Sequence, residues 1–217
     1  MSGSRLGFFV TFEGGDGSGK STQVERLARR LRARGLDPLV TREPGGTPLA
    51  ESLRTLVLDP ARRPAPLTEA LLILAARADV VATAIAPALE AGRVVLCDRY
   101  GDSTLAYQGA GRGLDDARLA AWNRMATGGL VPDLTLLFDV DPELARARRS
   151  VAATNRLDRE PPDFHARVRD RYRELAAAEP GRFVVLDAAR DADELERATW
   201  EAVAARLPTL AATRGEA

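Results

Sequence analysis

Apolar residues follow two rhythms along the chain: short unbroken runs, and longer stretches in which they recur every three or four positions. The runs are Phe8-Phe9-Val10-Thr11-Phe12, Pro38-Leu39-Val40-Thr41, Arg93-Val94-Val95-Leu96-Cys97-Asp98, and residues 134–140 and 182–186. Short continuous runs without polar alternation predict strands buried on both faces of a parallel sheet. Between them, Val24, Leu27, Ala28 and Leu31 keep helical spacing up to Gly35. Leu49, Leu53, Leu56 and Val57 do so after Pro48, a favourable first helical residue, until the stretch from Pro60 to Pro66 interrupts them. Further helices are predicted from Thr68 to Ala91, from Asp115 to Ala126, from Pro142 onward, from Asp163 to Ala178 and from Asp191 to Leu207. The helix from Thr68 is apolar on most sides and should be buried, so its Arg77 and Asp79 need partners. On the next helix Leu119, Trp122 and Met125 share a face, and Gly128-Gly129 ends it. Strands alternating with helices predict an α/β fold with a parallel sheet covered on both faces. Residues 151–162 lack apolar periodicity and carry charges around two prolines, the pattern of a mobile loop or lid. The ends, 1–6 and 211–217, should fray. No repeat or linker divides the chain, so 1–217 is expected to form a single domain.

Composition narrows the functional classes. Lysine plus arginine equals aspartate plus glutamate at 31 each, so no global field favours nucleic acid or an acidic membrane. Cys97 is the single cysteine and has no intrachain partner. No signal-like segment and no run of bilayer length is evident, which predicts a cytoplasmic protein. His165, the only histidine, has no serine or cysteine nucleophile in a matching pattern, and no cluster has zinc-ligand spacing.

The densest chemistry is Gly14-Gly15-Asp16-Gly17-Ser18-Gly19-Lys20-Ser21-Thr22, a full match to the phosphate-binding pattern G-x-x-x-x-G-K-S/T between a strand and a helix. Glycines let successive N–H groups face one centre, and the helix beginning near Lys20 adds its positive end. Lys20, the chain's only lysine, would reach the β- and γ-phosphates of ATP, and the Ser21 hydroxyl would ligate Mg²⁺. In a parallel sheet the carboxyl ends of the strands meet along one edge. That edge therefore collects this loop, Arg42-Glu43 and Asp98-Arg99-Tyr100, with Asp98 in the position of a Mg²⁺-linked acid. A GTP switch would need an N-K-x-D segment, and none occurs. Asp16 among phosphates costs electrostatic energy unless it orients a hydroxyl or a metal. With Arg42, Arg54, Arg77 and Arg99, it predicts a second anionic, sugar-bearing ligand opposite ATP.

These segments together resemble the thymidylate kinase family over nearly the whole chain. The resemblance rests on residues 13–22, Thr41-Arg42-Glu43-Pro44-Gly45-Gly46, Ala75-Ala76-Arg77, Asp98-Arg99-Tyr100, residues 103–109 and Leu157-Asp158-Arg159-Glu160. It implies a three-layer P-loop nucleoside monophosphate kinase fold with a small lid, and transfer of the γ-phosphoryl group of Mg·ATP to dTMP, giving dTDP and ADP. It also implies that Arg42, Arg54 and Arg99 hold the thymidylate phosphate and Asp16 the sugar 3′-hydroxyl. Arg77, Thr104 and Gln108 would read the thymine edge, with Tyr107 against the sugar. Ile73 stands where the family usually stacks an aromatic ring on the base. The loop interior has no arginine, so the chain resembles the lid-arginine type, with Arg146, Arg149, Arg156 and Arg159 as candidates, Arg149 and Arg159 foremost. A homodimer using the helix from Thr68 is implied too. Two alternatives remain open here: a kinase for another nucleoside monophosphate, and an ATP-binding switch read by a partner.

Overall fold

All six residues of β1 (Phe8–Glu13) are buried, because helices cover both sides of the strand. Phe8, Val10 and Phe12 meet Val24, Leu27 and Leu31 of α1 (Lys20–Arg32) and belong to the same core as Leu195 and Val203 of α9 (Ala192–Ala204). Phe9, on the opposite face, packs with Val80, Val81, Ile85 and Leu89. The alternation is thus between two apolar environments, as a central parallel strand requires. β2 (Leu39–Arg42), β3 (Val94–Asp98), β4 (Leu134–Asp139) and β5 (Phe183–Asp187) complete one sheet in the order β2-β3-β1-β4-β5. Every pairing is parallel, with Phe12 opposite Asp98 on one side and Leu136 on the other. The computed structural model describes residues 7–148 and 155–207. Arg149, the first part of the 151–162 segment and both chain ends lie outside the described residues.

α2 (Pro48–Leu58) starts at a proline behind Thr47, whose hydroxyl accepts from the Ala50 N–H. α3 (Pro66–Val80) runs on through a π-helical turn at Val81–Ile85 into α4 (Ala86–Glu90). No run of bilayer length is evident in the sequence. The combined helix Pro66–Glu90, with mean hydropathy 1.7, is nevertheless long and apolar enough to cross one. Its buried Glu69 and Arg77 are ion-paired inside the protein, and Val80, Val81, Ile85 and Leu89 pack on the sheet. Asp79 accepts from the Thr47 hydroxyl, so both charged exceptions have partners.

α5 (Gly101–Thr104) and the π-helical segment Leu105–Gly111 were not anticipated from apolar spacing. Their buried side chains are Asp102, Ser103, Thr104, Ala106, Tyr107 and Gln108, mostly polar, so no hydrophobic stripe marks the helix. α6 (Asp116–Thr127) ends at Gly128 in the left-handed conformation, but Met125 does not share the buried face of Leu119: it is 78% exposed. α7 (Pro142–Ala147), a 3₁₀ turn at Leu157–Arg159 and α8 (Pro162–Ala178) lead to β5. Phe164, Val168, Tyr172 and Leu175 of α8 form a third cluster with Tyr107, Leu137 and Phe183.

Candidate active site

The loop after β1 curls because its glycines adopt angles denied to other residues. Gly14 sits at φ 134°, where a Cβ would lie 2.5 Å from the Phe138 carbonyl oxygen, and Gly19 opens α1 at φ 88°. Lys20 Nζ donates to the carbonyls of Gly14 (3.0 Å) and Gly15 (2.7 Å) and is buried in the loop. Burial, followed by the charge of Arg99, pulls its ammonium down to about 8, which makes it a ready donor to an anion. Ser21 Oγ donates to Asp98 Oδ2 at 2.7 Å, so the hydroxyl at the head of α1 and the carboxylate at the end of β3 face one point. Among the described residues no group of three or more histidine, cysteine, aspartate or glutamate side chains could hold a metal ion. A cation at Ser21 and Asp98 would need its remaining ligands from phosphates and water, the usual state of Mg²⁺.

Arg99 follows Asp98 with φ 71°, a left-handed conformation that costs a β-carbon-bearing residue roughly 1–2 kcal/mol. The Arg99 N–H donates to the Phe12 carbonyl (2.9 Å), and the side chain is fixed at several atoms. Nη2 donates to Asp16 Oδ1 (2.8 Å) and the Tyr107 hydroxyl (3.1 Å), and Nη1 to the Tyr172 hydroxyl (3.2 Å). Behind it lies Glu13, fully buried, which accepts from the Tyr100 N–H (2.7 Å), the Ser103 hydroxyl (2.6 Å) and the Tyr172 hydroxyl (2.9 Å). Burial and then the nearby Asp102 push its carboxyl up to about 7. The sequence pattern gives Glu13 no role of its own. Its only sequence signal is an acid directly after five apolar-run residues. Tyr172 gave none, since it lies on a helix far along the chain.

Two cavities adjoin across Asp16, Glu43, Arg54 and Arg99. The larger, about 630 Å³, lies over residues 16–23, with Arg42 and Asp98 on one side and Arg148, Arg190 and Asp191 on the other. Arg148 donates to the Ala188 carbonyl (2.5 Å) and the Ala189 carbonyl (2.9 Å) and was not among the expected site residues. Gly14 and Gly15 form the back of the loop against β4 and α8 rather than this wall. The smaller cavity, about 60 Å³, is lined by Ile73, Arg77, Thr104, Tyr107 and Gln108 together with Leu58, Asn155 and Leu157. Between the two, Arg54 donates to the Pro44 carbonyl (2.8 Å), while Arg42 forks onto Glu51 (3.1 and 3.2 Å). Burial and then the neighbouring Arg42 pull the Arg54 guanidinium below its ordinary value, so an anion placed there relieves repulsion.

Arg77 is buried in a fixed bracket. Nε donates to Glu43 (2.6 Å), Nη1 to Thr104 (2.7 Å) and Asn123 (2.5 Å), and Nη2 to the Tyr100 carbonyl (3.0 Å), leaving one of its five N–H groups. Arg156 does not turn toward the phosphate side: it is buried, bound to the Val57 carbonyl (3.0 Å) and to Glu69 (2.6 Å). Arg146 and Arg159 are exposed and line neither cavity. Arg149 is outside the described residues.

A phosphate-binding loop on a five-stranded parallel sheet, with an arginine cluster and a second pocket across from it, defines a P-loop phosphotransferase with two ligand sites. The thymidylate kinase family pattern matches residues 12–199. A thymidylate kinase of Deinococcus radiodurans is 53% identical over 201 residues, covering 92% of this chain and 98% of that protein. One of Thermomicrobium roseum is 53% identical over 201 residues, covering 91% and 95%. The crystal structure of the thymidylate kinase from Ehrlichia chaffeensis superposes with a TM-score of 0.76 at 34% identity, covering 91% of this chain and 98% of that one. The chain belongs to the thymidylate kinase family.

Proposed function

We propose that the protein transfers the γ-phosphoryl group of Mg·ATP to dTMP, giving dTDP and ADP for dTTP synthesis. The observation that carries this reading is the pair of cavities adjoining at Asp16, Arg54 and Arg99, one over the phosphate loop and one built for a base. ATP lies in the larger, its phosphates on the N–H groups of residues 16–22 and on Lys20. dTMP enters the smaller, with its phosphate between Arg42, Arg54 and Arg99, its 3′-hydroxyl on Asp16 and its sugar against Tyr107. Ile73 covers the base while Arg77, Thr104 and Gln108 meet its edge.

Phosphoryl transfer asks for alignment and charge neutralisation rather than a covalent intermediate. Lys20 and Arg99 neutralise the transferring group, and Arg99 is braced for this by Asp16, Tyr107 and Tyr172. Ser21 and Asp98 would hold Mg²⁺, which would supply positive charge to offset that of the donor phosphates. A lid arginine, Arg149 or Arg159, completes the neutralisation, and closure of 151–162 excludes water. The protein acts as a single cytoplasmic domain on small molecules, without nucleic acid or membrane partners. It pairs as a homodimer, a reading supported by Leu67 and Leu71, one turn apart on α3 and about half exposed. A coupled ADP-release assay across dTMP, dUMP, dCMP, AMP and GMP tests the reading. Turnover should be highest with dTMP; acceptor-independent or purine-preferring turnover would overturn it.

A further inference from the structure

Glu69 is fully buried on α3, lines neither cavity, and has no place in the reaction as described. Its carboxylate nevertheless gathers three side chains from two distant parts of the chain. Oε1 accepts from Gln108 Nε2 at 2.8 Å and Arg112 Nε at 3.3 Å, and Oε2 accepts from Arg156 Nη2 at 2.6 Å. An ionised carboxylate only accepts hydrogen bonds, so the amide of Gln108 must turn its NH₂ toward Glu69. Its carbonyl oxygen is the atom left for the base cavity that Gln108 lines. Thymine and uracil present an N3–H there, whereas cytosine presents a bare N3 acceptor. The same carboxylate ties down Arg156, whose neighbours Asn155 and Leu157 form part of that cavity's wall.

We propose that Glu69 is the positioning residue for pyrimidine choice: it locks Gln108 as an acceptor, and so selects bases with an imide N–H over cytosine. This rests on the reading that the smaller cavity takes the base, and the experiment separates the two. The ratio of kcat/KM for dTMP to that for dCMP is measured for the full-length protein, for Glu69→Gln, for Gln108→Leu and for the double variant. A glutamine at position 69 can both donate and accept, so Gln108 is free to turn over. Loss of one oriented hydrogen bond of about 1.4 kcal/mol corresponds to a tenfold change, so Glu69→Gln should lower the ratio about tenfold or more. KM for ATP should stay unchanged. Gln108→Leu should lower the ratio similarly, and the double variant should go no lower than Gln108→Leu alone, since Glu69 acts through Gln108. Glu69→Asp keeps a charge for both arginines but draws the carboxylate back by about 1.5 Å, and should lower the ratio about threefold or more even where the glutamine variant does not fold. An unchanged ratio in either folded Glu69 variant, with a lowered one in Gln108→Leu, would overturn the role of Glu69. An unchanged ratio in Gln108→Leu would overturn the base-pocket reading and the inference with it.

Discussion

Replacing Arg77 with methionine keeps much of the side-chain volume and removes the fork that lines the smaller cavity. Glu43, which lies 2.6 Å from Arg77 Nε, is itself buried, and its Oε1 has no hydrogen-bond partner among the described residues. Burial already pushes the Glu43 carboxyl up, with Arg77 acting against that rise. Without Arg77 the carboxyl must either stay charged in a dry site or take up a proton. Removing one partner of a buried pair costs about 3–5 kcal/mol. For a chain of this length each kcal/mol moves the melting temperature by about 2–4 °C, so Arg77→Met should melt roughly 6–20 °C lower. Adding Glu43→Gln removes the orphaned charge, and the double variant should be more stable than the two single losses summed, by about 1.5 kcal/mol or more. Urea denaturation of the four proteins at neutral pH, with melting curves alongside, measures this. KM for dTMP should rise in Arg77→Met while KM for ATP holds. Additive losses within about 0.5 kcal/mol, or an Arg77→Met variant that melts with the parent, would refute the bracket as drawn.

Three further outcomes follow from the site. Glu13 holds its proton up to about 7 when folded, against an ordinary value of 4.5, so its contribution to stability is present below 4.5 and lost as pH rises through 7; the parent should therefore lose more thermal stability between about pH 5 and pH 8 than Glu13→Gln, and parallel curves would contradict this. Lys20→Ala should lower kcat by on the order of 10²–10³-fold while circular dichroism shows the fold retained, and parent-like turnover would remove Lys20 from the chemistry. Ile73→Ala should raise KM for dTMP and Ile73→Phe should match or lower it, because aromatic stacking on a base is worth roughly 1–3 kcal/mol where measured; if neither folded variant changes dTMP kinetics, the base lies elsewhere.

The central strands β1, β3 and β4 were legible because burial on two faces writes continuous apolar runs, and the phosphate loop because few residue patterns let a backbone wrap an anion; the edge strands β2 and β5 keep apolar runs although Val40 and Val185 are exposed. The helix from Gly101 was not legible: Ser103, Thr104, Tyr107 and Gln108 face inward to polar partners rather than to a core, which erases the helical stripe. Met125 misled in the opposite sense, since an apolar residue at helical spacing can still face outward, and only the packing of α6 decides. That the loop closes over Lys20 through the Gly14 and Gly15 carbonyls was not legible, since a glycine-rich pattern carries no sign of burial. Arg156 read as a candidate for the phosphates because charge in a loop carries no sign of where it folds. Its partner Glu69 lies 87 positions away, and no local pattern announces such a pairing. Glu13, Glu43 and Glu69 share this invisibility, being acids whose meaning comes from arginines, hydroxyls and amides brought to them by the fold.

The account centres on a phosphoryl group passing from a donor on the phosphate loop to an acceptor held by Arg42, Arg54 and Arg99. The most direct test is to incubate the protein with ATP labelled at the γ-phosphate, Mg²⁺ and dTMP, and to follow the label. The account predicts that it appears in the β-phosphate of dTDP, one for each ADP formed, and that Arg99→Met abolishes the transfer. Label released as inorganic phosphate, with ADP formed and no dTDP, would contradict it.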